Sequence, residues 1–489
     1  MIRRLSTPPA DRRPIYQALD GLFADFARDH HVPGLVFGVV ADGRLDYVKA
    51  MGARDLGAGD AVTPDTSFRI ASMTKAFTAL AVLQLRDAGR LSLDAPVETL
   101  VPELKALPYP TSDSRRVSVR DLLAHTAGFI DDNAWADRQI DMSEDRFSSL
   151  LAAGPPFARP PGIAFEYSNL GYAILGRAIA NIVGRPYGEV VRERILAPLG
   201  MEASGWEVSA VPRARRAIPY AWIEGRWVEE EALAPGAFDA GGGLHTTARD
   251  YARFVAWLLS AWPPRDGPDD PILRRASLRE IVQGQGFPQL RPRADRSDPQ
   301  AGDVAVSYGM GMVTAADPDL GLALSHSGGL PGYRSNVLLL PHRGLGLFAF
   351  ANLTDPPVAT AVREAMLALT RSGAFPARPA SPCPELREAA AVIARIWAAG
   401  DIEAAAGALA MNVVLDKSAA RWKGELASLR QALGAFTADG ALEAHSAMAG
   451  IFTYECERGR LTAQVLLSPT SPPTIQKLEF LAAPAENTL

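Results

Sequence analysis

Lysine and cysteine are both scarce in this 489-residue chain. The lysines are Lys49, Lys75, Lys105, Lys417, Lys423 and Lys477, set against a far larger arginine complement. The two cysteines, Cys383 and Cys456, fall late in the sequence. Two thiols exclude a disulfide scaffold and a zinc cluster, and a single bridge between them would need an oxidising compartment. There is no basic excess: the formal net charge is −5, which argues against general nucleic-acid binding. No uninterrupted apolar run reaches membrane-spanning length, so no membrane partner is expected. Met1 to Pro9 carries basic residues with no apolar stretch after them, so it does not read as a signal peptide and the expected location is cytoplasmic. Gly-x-Ser-x-Gly is also absent, which removes the nucleophile elbow of an α/β-hydrolase.

The composition that remains, 48% hydrophobic and 21% charged, is that of a globular protein long enough for two or three domains. Apolar residues at helical spacing (Ile15, Leu19, Leu22, Phe23, Phe26) predict an amphipathic helix from Pro14 to His30. Leu35–Val40 and Arg44–Ala50 flank Ala41-Asp42-Gly43 and read as a hairpin. A buried helix is expected from Ser72 to about Ala88. From Pro96 to Asp303 helices, prolines and loops dominate with few convincing strands, and Phe287–Asp303 reads as a mobile surface loop. Strands return from Val304, notably over Gly321–His326, Arg334–Leu340 and Leu345–Asn352, before a helix over Pro357–Thr370. Strands at both ends and helices between them imply an antiparallel sheet flanked by helices, with an all-helical subdomain inserted. The expected boundaries are 13–95 and 304–372 for the α/β part of a 1–372 catalytic domain, with the insertion over 96–303. A proline-rich linker (373–383) and a small α+β domain (384–489) complete the chain. Within that last domain helices are expected over Glu385–Ala399, Ile402–Ala410 and Trp422–Leu433, with strands at Asn412–Asp416 and again through Leu481.

Three short motifs carry chemistry. In Ser72-Met73-Thr74-Lys75 the serine and lysine share one helix face, so the lysine can take the serine proton or hold the group that does. Placing Ser72 at a helix start aims free backbone N–H groups at a developing oxyanion. Chance alone gives Ser-x-x-Lys in about one sequence in three of this composition, so this motif decides little by itself. Tyr167-Ser168-Asn169 adds a phenol that nearby cations could turn into a base, and an amide to bind a substrate carbonyl while its oxygen holds the lysine. His326-Ser327-Gly328-Gly329 ends an apolar strand, and its glycines let backbone approach a substrate, with the Gly329 N–H a second oxyanion donor. A second His-x-Gly, at His342, sits in a hairpin turn and reads as structural.

In this order the three motifs resemble the serine β-lactamase and penicillin-binding-protein superfamily, on its class C β-lactamase, DD-peptidase, D-aminopeptidase and family VIII esterase branch. Phe68-Arg69-Ile70-Ala71 before Ser72 is similar to that family's nucleophile segment. Leu122–Gly128, Gly241–Thr247 and Tyr308–Met312 resemble further family signatures. The resemblance covers about Ile15 to Thr370. It implies Ser72 as nucleophile, Tyr167 as main proton carrier tuned by Lys75 and His326, and Ser72 and Gly329 as oxyanion donors, with Asn169 and Gly328 in the same site. It assigns His125 and His245 to packing and hydrogen bonding, and implies no metal or organic cofactor. Class C β-lactamases usually have Lys-Thr-Gly where this chain has His-Ser-Gly, which lowers the expectation of efficient β-lactam hydrolysis. The last domain resembles the NTF2-like α+β cone through Trp397–Glu403 and Asn412–Asp416, which implies an accessory role or a homodimer made through it. The expected activity is hydrolysis of an amide or small peptide, D-residues included, through an acyl-enzyme. The alternatives are an esterase or acyl transferase with the same machinery, and a slow penicillin-binding or sensor protein.

Overall fold

The structure is a computed structural model that describes residues 11–286, 289–291, 303–378 and 380–484. It divides into two compact units, Met1–Pro376 and Ala377–Leu489.

The first unit is built on a nine-stranded antiparallel sheet assembled from both ends of the sequence. Helix α1 (Arg13–Asp29) precedes β1 (Gly34–Ala41), β2 (Arg44–Asp55) and the short β3 (Asp60–Ala61). The late strands are β4 (Gln289–Arg291), β5 (Val304–Tyr308), β6 (Val313–Asp317), β7 (Gly321–Leu330), β8 (Tyr333–Leu340) and β9 (Leu345–Ala351). Their order across the sheet is β3-β2-β1-β9-β8-β7-β6-β5-β4. The two chain halves meet where β1 pairs with β9, Leu35 opposite Ala351 and Val36 opposite Phe350.

Every residue of β1 is buried, because both faces of the sheet are covered. Strand alternation sorts these side chains into two cores. Val36, Val40, Phe348 and Phe350 pack with the helices α2 (Thr74–Asp87), α3 (Asn169–Val183) and α4 (Ala248–Leu259) on one side. Leu35, Phe37, Val39 and Leu347 pack on the other side with α1 and α5 (Val358–Arg371). The apolar stripe of α1 delivers Leu19 and Phe23, and Phe23 stacks on Phe37 at 4.2 Å. Helix α2 is buried around most of its circumference, as its weak amphipathicity suggested, with Phe77 stacked on Phe254 at 4.3 Å.

Several sequence expectations need correction. The middle region contains a hairpin, Tyr220–Ile223 with Arg226–Glu229, turned by Glu224 and Gly225, both at positive φ. Its Trp222 stacks on His31, and Trp227 donates to the His31 carbonyl at 2.7 Å, so it packs beside the end of α1. Strand β7 continues through His326 to Leu330 instead of ending at the histidine. Of the loop expected over Phe287–Asp303, residues 289–291 form the edge strand β4 paired with β5, Asp303 is described, and the rest lies outside the described residues.

In the second unit α6 (Pro384–Ala399) and α7 (Ala419–Leu433) pack on an antiparallel four-stranded sheet. Its strands are β10 (Ala441–Ala444), β11 (Ala449–Cys456), β12 (Gly459–Leu467) and β13 (Ile475–Pro484). Asn412–Asp416, expected as a strand, is a short helix. Only Val413 of its apolar run is buried, in the core of this unit, while Val414 and Leu415 are exposed, as one face of a short helix requires. The Val413 amide bonds the Ala410 carbonyl and Asn412 donates to Gln476, and these local bonds outweigh β propensity. Ile402–Ala408 is helical but kinked at Ala405. Cys383 and Cys456 are both free, and the Cys383 sulfur caps α6 by accepting from the Leu386 amide. Among the described residues no helix is long and apolar enough to cross a membrane.

The hairpin joining β7 to β8 turns on Pro331-Gly332, with Gly332 at φ +76°. A Cβ there would also lie 2.1 Å from Pro219 Cβ. Replacing Gly332 by Ala therefore adds backbone strain of about 1–3 kcal/mol and a clash on top of it. A clear fall in Tm by scanning calorimetry is expected, and an unchanged Tm would contradict this account of the turn.

Candidate active site

Ser72 lies on a tight turn, Ala71–Met73, that runs into α2. Ala71 sits at φ +49°, a left-handed conformation costly for a residue with a Cβ. The turn is held by the Thr74 hydroxyl, which donates to the Ala71 carbonyl at 2.6 Å and accepts from the Leu244 amide at 3.1 Å. Strand β7 closes on the turn from the side. Gly328 permits that approach, since a Cβ there would stand 2.1 Å from the Ile70 carbonyl oxygen, which Ser335 Oγ also binds at 2.8 Å. Ser72, Tyr167, His326, Ser327, Gly328 and Gly329 thus come to line one cavity of about 1190 Å³.

Lys75 is fully buried next to Ser72. Its Nζ lies 2.5 Å from Asn169 Oδ1, 2.8 Å from the Gly241 carbonyl oxygen and 3.1 Å from Ser72 Oγ. The first two partners can only accept. A neutral amine has two N–H donors and one lone pair, so the two carbonyls take both donors and the lone pair is left facing the serine hydroxyl. Burial supplies the neutral form: desolvation drops the Lys75 pKa to about 7, against a smaller opposing pull from Asp137 and then Asp132.

Tyr167 lines the cavity beside Ser72, whose hydroxyl favours the phenolate slightly against burial, and Lys75 Nζ stands 4.8 Å from the centre of its ring. The sequence reading had neighbouring cations pulling this phenol's pKa down. In the structure burial dominates and pushes it well above its ordinary value, because the lysine sits over the ring face and not on the oxygen. The phenol therefore stays protonated, and Lys75 is the group that changes charge near neutrality. His326 also stands differently from the expectation. Its Nδ1 donates to the Ser327 carbonyl at 2.6 Å, which leaves Nε2 to accept from the Tyr308 hydroxyl at 2.9 Å. Desolvation, helped by the Lys75 charge, lowers its pKa to about 3, so it is a neutral link to Tyr308 and has no direct bond to Tyr167. The Asn169 amide nitrogen, assigned by sequence to a substrate carbonyl, donates to Asn133 Oδ1 at 3.0 Å.

Several contributors were not found from sequence. Asp132 accepts the Asn169 and Leu170 amides at 2.7 and 2.8 Å and so anchors the amino end of α3, where a carboxylate also complements the helix dipole. It lies in an acidic run after Gly128, but no local pattern reveals a partner 37 residues away. Tyr308 and the Gly241 carbonyl fall inside segments already singled out as family-like, yet neither was named as a site residue. Gly311, in the first of those segments, lets it pack against α2: a Cβ there would lie 2.7 Å from the Lys75 carbonyl oxygen. His125 accepts the Ser168 amide through Nδ1 at 3.0 Å, and its ring centre is 4.2 Å from that of Tyr167. His245 contacts Ser67 Oγ at 3.1 Å. Both histidines act as packing and hydrogen-bonding groups. Among the described residues no group of three or more His, Cys, Asp and Glu side chains could hold a metal.

The Beta-lactamase family model matches residues 19–371. The chain belongs to the Beta-lactamase family. Among curated relatives, Protein flp of Staphylococcus aureus (strain MW2) is 27% identical over 351 residues, 71% of this chain. The match spans 65% of flp, just under two thirds of that protein's length. Protein Rv1367c of Mycobacterium tuberculosis (strain H37Rv) is 31% identical over 313 residues, 59% of this chain and 76% of its own. Among solved structures, the octameric penicillin-binding protein homologue from Pyrococcus abyssi superposes with a TM-score of 0.62 at 20% identity, covering 96% of both chains. D-alanine carboxypeptidase AmpC from Burkholderia cenocepacia gives 0.57 at 21% identity, covering 74% of this chain and all of its own. At these identities the superpositions establish the fold: a large antiparallel sheet flanked by helices, as in the β-lactamase and transpeptidase fold.

Because Lys75 must be neutral to accept the serine proton, Ser72 acylation should rise with pH. The rate is expected to climb by about tenfold per unit below pH 7 and level off above it. Stopped-flow labelling with a fluorophosphonate between pH 5 and 9 measures this, and a flat profile would contradict it. Lys75→Ala should slow the same step by about 10²- to 10⁴-fold.

Proposed function

We propose that this protein is a serine hydrolase that forms an acyl-enzyme on Ser72 from an amide or small peptide, with D-residue substrates included. The observation that carries the reading is the buried Lys75 Nζ, 3.1 Å from Ser72 Oγ with Asn169 Oδ1 and the Gly241 carbonyl oxygen as its other partners. Ser72 gives its proton to Lys75 as Oγ bonds to the scissile carbonyl carbon. The oxyanion is met by the Ser72 and Gly329 N–H groups. As the C–N bond breaks, the leaving nitrogen takes a proton from Tyr167, which Lys75 then replaces. Water next attacks the Ser72 ester, releasing the acid and returning a proton to Ser72. A protonated phenol beside the serine is suited to the leaving-group step, which favours an amide, since an amine leaves only once protonated. An esterase or acyl transferase would use the same groups without depending on that donor. The second unit has no catalytic constellation among its described residues, and an NTF2-like accessory or dimerising role is the reading that suits its helices packed on a four-stranded sheet.

Intact-mass spectrometry after exposure to a fluorophosphonate, and separately to a penicillin, tests this reading. Wild type is expected to gain one adduct from the phosphonate and Ser72→Ala none. A penicillin adduct that persists for hours would favour the slow sensor, and one that clears would favour turnover. Matched esters and amides then separate the two hydrolase readings, because Tyr167→Phe should depress amide cleavage far more than ester cleavage. Equal labelling of wild type and Ser72→Ala would sink the mechanism.

A further inference from the structure

The cavity above Ser72 is lined by six aspartate and arginine side chains, and all but one have a hydrogen-bond or ion-pair partner among the described residues. Arg115 is bidentate to Asp121 at 2.5 and 2.6 Å, which satisfies both. Arg120 is bidentate to Asp94 at 2.7 and 3.0 Å. Asp131 accepts the Asn133 amide at 3.1 Å. Arg334 pairs with Asp355 at 3.1 Å and lies folded over Gly329, where a Cβ would come within 2.0 Å of its Nη1. Asp137 is the exception: no described residue forms a hydrogen bond or an ion pair with its carboxylate.

That carboxylate is half-buried and held by its backbone, with its amide bonded to the Asn133 carbonyl at 3.0 Å directly after the Asn133–Ala136 turn. It lines the same cavity as Ser72 and Tyr167, and of the carboxylates it acts most strongly on both Lys75 and Tyr167. Burial raises its pKa to about 6, with Lys75 and Arg334 drawing it down and Asp132 and Asp355 pushing it up, so it is mostly ionised at pH 7.5. An ionised, half-desolvated carboxylate without a partner is costly to keep in the empty cavity and suited to a cation that arrives with the substrate. The three cavity arginines are committed, so the free charge of the site is negative.

We infer that Asp137 binds an ammonium group of the substrate close to the scissile carbonyl, and so selects amides whose acyl residue carries a free α-amino group. The inference rests on the acyl-enzyme reading of Ser72. An α-ammonium is the cation that lies nearest a scissile carbonyl by covalent structure, and three N–H donors suit a carboxylate with open acceptor sites. Asp137 is then a specificity-determining residue.

Binding to Ser72→Ala protein tests this apart from catalysis. Calorimetric titration at pH 7.5 would compare alanine p-nitroanilide, as each enantiomer, with its N-acetyl counterpart. At least one free-amine enantiomer is expected to bind about 10- to 100-fold more tightly than its acetylated form. Adding Asp137→Asn should bring the two within about threefold, and Asp137→Glu should restore part of the gap. Equal binding of the pair, no binding of either, or a preference that survives Asp137→Asn overturns the assignment. Fluorophosphonate labelling of wild type reports separately on the nucleophile, so a site that prefers the amine but never labels would refute the acyl-enzyme reading and leave the ammonium site standing.

Discussion

A primary amine kept out of water, with its two N–H groups spoken for, is the constraint on which this site depends. Lys75 in solution would be a cation and useless as a base at neutral pH. Burial brings its pKa down to about 7, so that the neutral form is populated near neutrality, and the Asn169 and Gly241 oxygens then fix the direction of the lone pair. Three distant parts of the chain meet to do this: α2 carries the lysine, the start of α3 carries Asn169, and the Asp239–Gly242 turn presents the Gly241 carbonyl. Moving any of them would let water reach the amine or return its lone pair to disorder.

The rest of the first unit can be understood as holding those parts in register. Asp132 fixes the start of α3, Gly311 lets the Tyr308–Met312 segment press on α2, and Gly328 lets β7 close on the serine turn. Ala71 in a left-handed conformation beside Ser72 is a cost carried at the site itself, offset by the surrounding buried contacts. The sheet, covered on both faces, gives β7 and β8 the rigidity to place Gly329 across from Ser72. Around this neutral machinery the cavity wall is charged but largely self-paired, which leaves Asp137 as its one open group among the described residues.

Much of this was legible in the sequence where the signal was local. Ser72 and Lys75 are three residues apart on a helix, so their meeting follows from helical geometry alone. The β1–β2 hairpin, α1, α2 and the closing α5 were likewise readable from spacing and turn residues. What depends on tertiary burial was not readable. The direction of the Tyr167 pKa shift came out opposite to the expectation, because a sequence shows which cations exist but not that the phenol is sealed from water with the lysine over its ring face. The His326–Tyr308 and Asp132–Asn169 bonds join positions 18 and 37 residues apart, with no pattern linking them. The Asn412–Asp416 segment has two adjacent β-branched residues yet folds as a helix, which buries Val413 in the core and leaves Val414 and Leu415 exposed.

The central claim is best tested by titrating Lys75 itself. With six lysines in the chain, ¹⁵N-lysine labelling gives a spectrum simple enough to assign by single Lys→Arg variants. The account predicts one side-chain amine, lost in Lys75→Arg, that titrates near pH 7. If the Lys75 amine instead stays protonated until about pH 10, the lone pair facing Ser72 does not exist at neutrality, and another group must take the serine proton.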